Sequence, residues 1–341
     1  MEDYKEIFNP KLYNQQYHQF DISKYNFLIT GGAGFIGSNI VEYLLKNKAG
    51  KVRVLDNLSN GYFENINDFL SFPNFEFIEG DIRSIETCRE AVKDIHYVSH
   101  QAALGSVPRS ISDPILTNEV NINGFLNIIT AIKENKNVKR FVYAASSSTY
   151  GDSKELPKIE GNEGRVLSPY AVTKAVNELY ADVFSKVYGI NSIGLRYFNV
   201  FGPKQNPNNP YAAVIPLFCK HFIEGTSPTI FGDGLTSRDF TFVENVVQAN
   251  IRALLYDNLD NHEVFNVACG DEITLINMIQ VLNELTNSSL IPIFKDERKG
   301  DVKHSRASIN KISIIGYKPQ VYFNEGLSLV FEWYKNKKYY D

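Results

Sequence analysis

Cysteine is scarce: Cys88, Cys219 and Cys269 are the only three in a chain of 341 residues. An odd number, far apart and without a CxxC pair, excludes a disulfide framework and points to core thiols in a reducing compartment. Long apolar runs are missing too. No stretch reaches the roughly 18 apolar residues of a membrane span, and the opening segment MEDYKEIFNPKLYNQQYHQFDISKY has no apolar signal core. A cytoplasmic protein with no membrane partner is expected. Charge of one sign is lacking as well: 35 basic against 39 acidic residues leave a net -4, and the basic groups are scattered. No nucleic-acid partner is expected, because that needs a concentrated basic face. The six histidines never fall at metal-ligand spacing. His96 and His100, in or beside an apolar run, read as satisfied core or loop histidines, so no metal site is expected.

What the chain does have is alternation. The short apolar runs FLIT (27–30), VRVLD (52–56), FEFIEG (75–80), YVSHQAA (97–103), FVYAASS (141–147) and SIGLRYFN (192–199) are separated by longer helical patterns. Strands of that length between amphipathic helices predict an α/β fold, a doubly wound parallel sheet covered on both faces. After Asn199 the regularity breaks into the loops GPKQNPNNPY, GDGLTSRDF and DERKGDVKH, with helical patterns between them. The expected organisation is an N-terminal extension (1–24), a dinucleotide-binding core (25–200) and a smaller mixed α/β substrate-binding lobe (201–341), some of whose segments return to the core.

FLITGGAGFIGSNIVEYLL places Gly31, Gly32, Gly34 and Gly37 between an apolar strand and an amphipathic helix. Such glycines allow a tight turn, close approach of backbone to a pyrophosphate and close packing of helix on strand, and the helix N-terminus offers amides to the phosphates. This is a Rossmann-like fingerprint. The next strand ends in Asp56, about twenty residues on, where a carboxylate accepts the adenosine ribose hydroxyls and repels a 2'-phosphate. Asn57, Leu58 and Ser59 supply no arginine to reverse that preference, so NAD is the expected cofactor. Asp81, after the third run, is read either as an adenine contact or as a structural cap.

Two further pieces converge on the nicotinamide end. AASSSTYG carries Ser146, Ser147 and Ser148 out of the fifth run at the sheet edge where ligands of open α/β sheets collect. In SPYAVTK, Tyr170 and Lys174 are one helical turn apart and share a helix face. A serine hydroxyl, a phenol and an ammonium beside a nicotinamide are what alcohol–ketone interconversion needs. Tyrosine, with an ordinary pKa near 10, is expected to be shifted toward phenolate by the ammonium and the positive ring, making it the acid/base. Tyr334 and Lys338 repeat the spacing without that setting and are expected at the surface.

TGGAGFIGSN, LDN, GDI, HQAALGSVPRS, AASSSTYG, SPYAVTK, LRYFNVFGP, GDGLTSRDF and KGDVKHS together resemble the extended short-chain dehydrogenase/reductase family. Within it the chain is similar to UDP-hexose 4-epimerases, above all the bacterial UDP-N-acetylglucosamine 4-epimerases that supply surface polysaccharide synthesis. The resemblance implies NAD contacts from Gly31, Gly34, Phe35, Ile36, Gly37, Asp56, Asn57, Asp81, Ile82, Ala102, Ala103, Tyr170 and Lys174. It implies that Ser146 and Tyr170 hold the sugar's 4-hydroxyl, that Asn199 faces the diphosphate and that Arg238 and Arg298 bind its oxygens. Asp301 would take the uridine ribose, and Phe231 would border the uracil. Gly105, Ser106, Ser147, Ser148 and Val214 complete the implied substrate set. It also implies a homodimer formed through the helices 113–136 and 167–188.

Departures from relatives with other reactions narrow the reading. Dehydratases carry an acidic pair after the fifth strand; SSSTYG has no carboxylate. Epimerases restricted to glucose and galactose have a tyrosine four residues after the aspartate of the GD motif, where this chain has Ser305. That change leaves room for an N-acetyl group and favours UDP-N-acetylglucosamine over UDP-glucose as substrate. A UDP-N-acetylglucosaminuronate or UDP-glucuronate 4-epimerase is the alternative. A non-catalytic NAD-binding protein is disfavoured because Ser, Tyr and Lys are all present.

Overall fold

The computed structural model describes residues 7–207, 213–259, 261–297 and 303–337. All six expected strands form: β1 (Asn26–Thr30), β2 (Lys51–Asp56), β3 (Phe75–Glu79), β4 (Tyr97–His100), β5 (Arg140–Ser146) and β6 (Ser192–Tyr197). A seventh, His262–Val267, was not expected; it pairs with β6 and completes a sheet in the order seventh–β6–β5–β4–β1–β2–β3. Every pairing in this sheet is parallel. Its strands are accordingly buried on both faces, Phe27, Leu28 and Ile29 at 0% exposure among them. The strand order reverses between β1 and β4, so the crevice outside their carboxyl ends is where a ligand fits.

The covering helices are α1 (Phe35–Lys46), α2 (Ile85–Val92), α3 (Val107–Ser112), α4 (Pro114–Asn118), α5 (Gly124–Glu134) and α6 (Pro169–Tyr188). The helix expected over 113–136 is broken by a π-helical turn, Glu119–Asn123. That extra residue per turn aims Asn121 inward. Its side chain accepts from Leu104 N–H at 2.8 Å and donates to the Thr173 hydroxyl at 3.1 Å, tying the loop after β4 to α6. Ser168 caps α6 through Ala171 N–H with Pro169 in the first turn, so the sequence itself sets where Tyr170 begins the helix.

Among the described residues the remainder includes α7 (Val214–Glu224), α8 (Val243–Leu255), α9 (Leu275–Thr286), α10 (Phe323–Lys337) and three two-stranded ribbons. Helix α8 lies on the large sheet. There Asn250 bonds Ser99, Gln101 and Tyr197 at 2.8–3.1 Å, a satisfied buried polar knot beneath the crevice. Residues 11–22 pack onto α1 and α8: Tyr13 donates to Asn39 at 2.5 Å and Tyr17 to Glu244 at 2.8 Å. The aromatic N-terminal stretch is therefore core, with Leu12, Tyr13, Tyr17 and Ile22 at 1–3% exposure.

One surface expectation is corrected. Tyr334 is fully buried, and its hydroxyl donates to the Gln205 carbonyl at 2.8 Å. Its position on α10 faces the apolar core beside Phe323 and Leu327, and the phenol tip finds an acceptor there. Lys338 lies outside the described residues. The histidines behave as expected: His100 is 4% exposed, bonded to Thr30 at 2.7 Å, and held neutral by burial, with its pKa pushed down to about 3. All three cysteines are buried free thiols.

Candidate active site

A cleft of about 540 Å³ opens at the carboxyl edge of the sheet, directly over the crevice between β1 and β4. One wall is the loop from β1 into α1. Gly31 sits at φ +66°, where a side chain would be strained, and an added Cβ would stand 2.6 Å from the Ala102 nitrogen. A Cβ on Gly37 would come within 2.2 Å of the Gly31 carbonyl oxygen. Gly34 begins α1 with no side chain capping it, leaving the first amides of the helix for an anion.

Asp56 closes the end of β2. It accepts Ala33 N–H at 2.9 Å and Leu58 N–H at 2.8 Å, and burial pushes its pKa up against those bonds. Spare acceptor capacity on a desolvated carboxylate suits ribose hydroxyl donors and not a phosphate. Asp81, at the neighbouring strand end, is engaged by the Arg83 guanidinium and by Asn57, which hold its pKa down to about 2. The carboxylate is thus partly occupied in an Asx turn, which fits the cap reading while leaving it on the cleft wall. Phe35, Ile36, Ile82, Ala102 and Ala103 line the same cleft. A dinucleotide fits this cradle, from the glycines to Asp56.

At the other end stand Ser146, Ser147, Tyr170, Lys174 and Asn199, joined by Gly105 and Ser106 from the loop after β4. Lys174 is 4% exposed and donates to the Ala144 carbonyl at 2.7 Å. Burial pulls its pKa down to about 8, opposed by Glu178 one turn along. Its nitrogen is 5.9 Å from the centre of the Tyr170 ring. Burial raises the Tyr170 pKa, and a hydrogen bond with Ser146 opposes the rise. This reverses the direction expected from the protein's own groups: the lysine, turned toward a carbonyl and itself desolvated, does not outweigh burial. Ser146 accepts from Ser148, both backbone at 3.1 Å and hydroxyl at 2.9 Å, so Ser148 braces Ser146 from outside the cleft lining.

The cleft is also lined by Gln101, Tyr197, Asn60, Tyr62, Arg109, Lys204 and Asn206, none of them expected. Gln101 follows β4 in HQAALGS and Tyr197 ends β6, so both could have been read from a strand end; Arg109 stands on α3, and the others stand on loops that carry no local signal. Across the mouth, Arg109 donates to Asn60 at 2.9 Å and Asn206 donates to Tyr62. The only carboxylates on the described lining are Asp56 and Asp81, both at the glycine-loop end.

The remaining expected substrate residues lie apart from this lining. Val214 opens α7, next to Ala213 of the cleft. Phe231 ends the strand Thr229–Phe231. Arg238 donates to the Ser237 carbonyl at 2.8 Å and the Lys303 carbonyl at 3.3 Å, and Ser305 N–H donates to the Ser237 carbonyl at 3.2 Å, so the segment 303–305 runs beside the Arg238 strand. Arg298 and Asp301 fall outside the described residues. Among the described residues no cluster of His, Cys, Asp or Glu could hold a metal, and no helix is long and apolar enough to cross a membrane.

A parallel doubly wound sheet with a dinucleotide loop, and a serine, tyrosine and lysine gathered in one cleft, define a nicotinamide-dependent enzyme of alcohol–ketone chemistry. The chain belongs to the NAD dependent epimerase/dehydratase family, whose model matches residues 27–268. Its cofactor is NAD. Among solved structures it is similar to a UDP-N-acetylglucosamine 4-epimerase of Methanobrevibacter ruminantium in complex with UDP-N-acetylmuramic acid. That likeness has 40% identity and a TM-score of 0.87, covering 92% of this chain and 99% of the other. It is also similar to a UDP-glucuronic acid 4-epimerase from Bacillus cereus solved with UDP-glucuronic acid and NAD, at 30% identity, TM-score 0.84 and coverage of 92% and 99%. A putative UDP-glucose 4-epimerase of Methanocaldococcus jannaschii is 35% identical over 91% of this chain and 98% of that protein.

Proposed function

We propose that this protein interconverts UDP-N-acetylglucosamine and UDP-N-acetylgalactosamine at C4, with UDP-glucose and UDP-galactose as lesser substrates. The observation that carries the reading is the cleft composition. Tyr170, Ser146 and Lys174 converge at the nicotinamide end, and no described carboxylate stands beside them to drive elimination. Bound NAD supplies the hydride acceptor and donor. Tyr170 takes the proton of the 4-hydroxyl and later returns it, while Ser146 holds that oxygen and Lys174 holds the nicotinamide ribose. Arg238 grips the diphosphate, as a guanidinium fork suits paired oxygens. Small residues at the sugar end, among them Gly105, where an added Cβ would meet nothing within 4 Å, leave the hexose free to turn its other face.

The test is to incubate the purified protein separately with UDP-N-acetylglucosamine, UDP-glucose and UDP-N-acetylglucosaminuronate, without added nicotinamide cofactor, and read the products by NMR. The 4-epimer of the acetylated neutral sugar should form fastest. A dehydrated product, or no epimer from any of the three, removes the proposal. Specificity has its own check. Ser305→Tyr should lower kcat/KM for the acetylated sugar by about tenfold or more while sparing UDP-galactose, since a ring fills the space an acetyl group needs. Equal losses on both would take Ser305 out of the sugar pocket.

The same reading includes a homodimer. Val172, Leu179, Val183 and Val187 form one exposed stripe along α6, at 44–67% exposure, with Ile111 and Ile115 exposed on α3 and α4. An apolar helix face of this kind is covered by a self-complementary copy in a two-fold pair. Leu179→Glu should convert a dimer to a monomer by light scattering; an unchanged mass would place the interface elsewhere.

A further inference from the structure

Arg238, on the short strand Ser237–Arg238, and Ser305, on the segment 303–309, both lie outside the large sheet. Backbone bonds of Ser237 join them directly, and the side chain next to Arg238 ties both to a third segment. Asp239 is fully buried, at 0% exposure. Its Oδ1 accepts Cys269 N–H at 2.9 Å, while Oδ2 accepts Gly270 N–H at 3.0 Å and Ala307 N–H at 3.1 Å. Among the described residues no cation pairs with it, and burial pushes its pKa up to about 6. A buried carboxylate without a counter-ion is costly, and the three amides it accepts offset only part of that cost.

The geometry explains the carboxylate. Three amides from two segments must be met at one point, and only an ionised carboxylate presents two acceptor oxygens; an amide would set its own NH2 against backbone donors. The segment it holds is stitched on both sides. Ser237 N–H donates to the Lys303 carbonyl at 2.9 Å and Ser305 N–H to the Ser237 carbonyl at 3.2 Å. On the far edge, Lys158 N–H donates to Arg306 at 2.8 Å and Ser308 N–H to Lys158 at 2.9 Å. Asp239 is the side chain in which the Arg238 strand, the turn at 268–271 and the segment 303–309 meet.

Resting on the roles given above to Arg238 and Ser305, we propose that Asp239 is a positioning residue for the nucleotide sugar. Its carboxylate fixes the register of the two loops that face the diphosphate and the C2 side of the hexose. It acts on binding and leaves the chemistry alone, because Ser146, Tyr170 and Lys174 hang from β5 and α6. The cofactor cradle is likewise built from β1 to β4 and is independent of it.

Asp239→Asn in the full chain tests this. Unmet amides should loosen both loops, raising KM for the UDP-hexose and the calorimetric Kd for UDP by about tenfold or more. In the same variant kcat should stay within about threefold of wild type and the NAD bound after purification should be unchanged. Wild-type protein that epimerises no UDP-hexose strikes the underlying reading. A folded variant with wild-type KM and UDP affinity overturns the role of Asp239, and so does a joint loss of kcat and NAD, which marks a merely structural residue. If the variant does not fold, hydrogen exchange on the wild type decides. The amides of Cys269, Gly270 and Ala307 should slow by about a further tenfold when UDP is added; exchange unaltered by UDP overturns the proposal.

Discussion

Tyr170→Phe should cut turnover by about a thousandfold or more, in the range that a positioned acid/base supplies, while NAD and UDP remain bound as in the wild type. The ring stays, so its packing at the start of α6 is kept; only the proton-carrying oxygen goes. Nothing nearby replaces it. Lys174 directs its ammonium at the Ala144 carbonyl, and the lining carboxylates, Asp56 and Asp81, sit at the opposite end of the cleft. Burial also has a kinetic consequence. The phenol must lose its proton to act as the base and burial raises its pKa, so wild-type kcat/KM should climb as pH rises toward alkaline values. The variant should lose that rising limb together with the rate. Turnover within tenfold of wild type, or an unchanged alkaline limb, would remove Tyr170 from the chemistry.

The difference between what could and could not be read from the sequence follows range of interaction. The glycine loop, Asp56 and the Tyr170 helix are local: each is fixed by a strand end, a turn and a cap within a few residues, and each reached the cleft as read. Strand His262–Val267 is hard to read because it stands alone after α8, away from the alternating runs, and its half-exposed first residues give no clean period. The π-helical turn was invisible within an otherwise continuous apolar periodicity, because its cause is Asn121 reaching the loop at Leu104. Tyr334 was misjudged for the same reason; its acceptor, the Gln205 carbonyl, is 129 residues away in sequence. The acidity of Tyr170 depended on desolvation and on where Lys174 points, neither of which spacing reveals. Lys204 illustrates the limit for the site. It lines the cleft on a loop held by its ion pair with Glu42 of α1 at 2.8 Å and by Asn39 and Tyr334, all distant in sequence.

Gly37→Ala carries the other large expected effect, and it separates the cofactor cradle from the catalytic groups. The added methyl would lie 2.2 Å from the Gly31 oxygen and 2.8 Å from the Gly31 carbonyl carbon and Gly32 Cα, all backbone, so no flexible side chain can yield. The turn or the helix must move instead. Gly31 cannot absorb the shift easily, because its φ of +66° and its approach to Ala102 already fix it. Overpacking of this kind costs about 1–3 kcal/mol, and at the upper end that is about a hundredfold in affinity if it falls on the bound state. The purified variant should therefore carry little NAD by absorbance and by nucleotide release. Its turnover should be lost in dilute solution and partly restored by millimolar-scale NAD, a rescue that Tyr170→Phe should not show. Because β1 and α1 remain packed through Ile40, Val41 and Leu44, the circular dichroism spectrum should match the wild type. A folded Gly37→Ala protein that retains its NAD through purification would mean that the loop does not set the approach of backbone to pyrophosphate, and the cradle would have to be sought in the contacts of Asp56 alone.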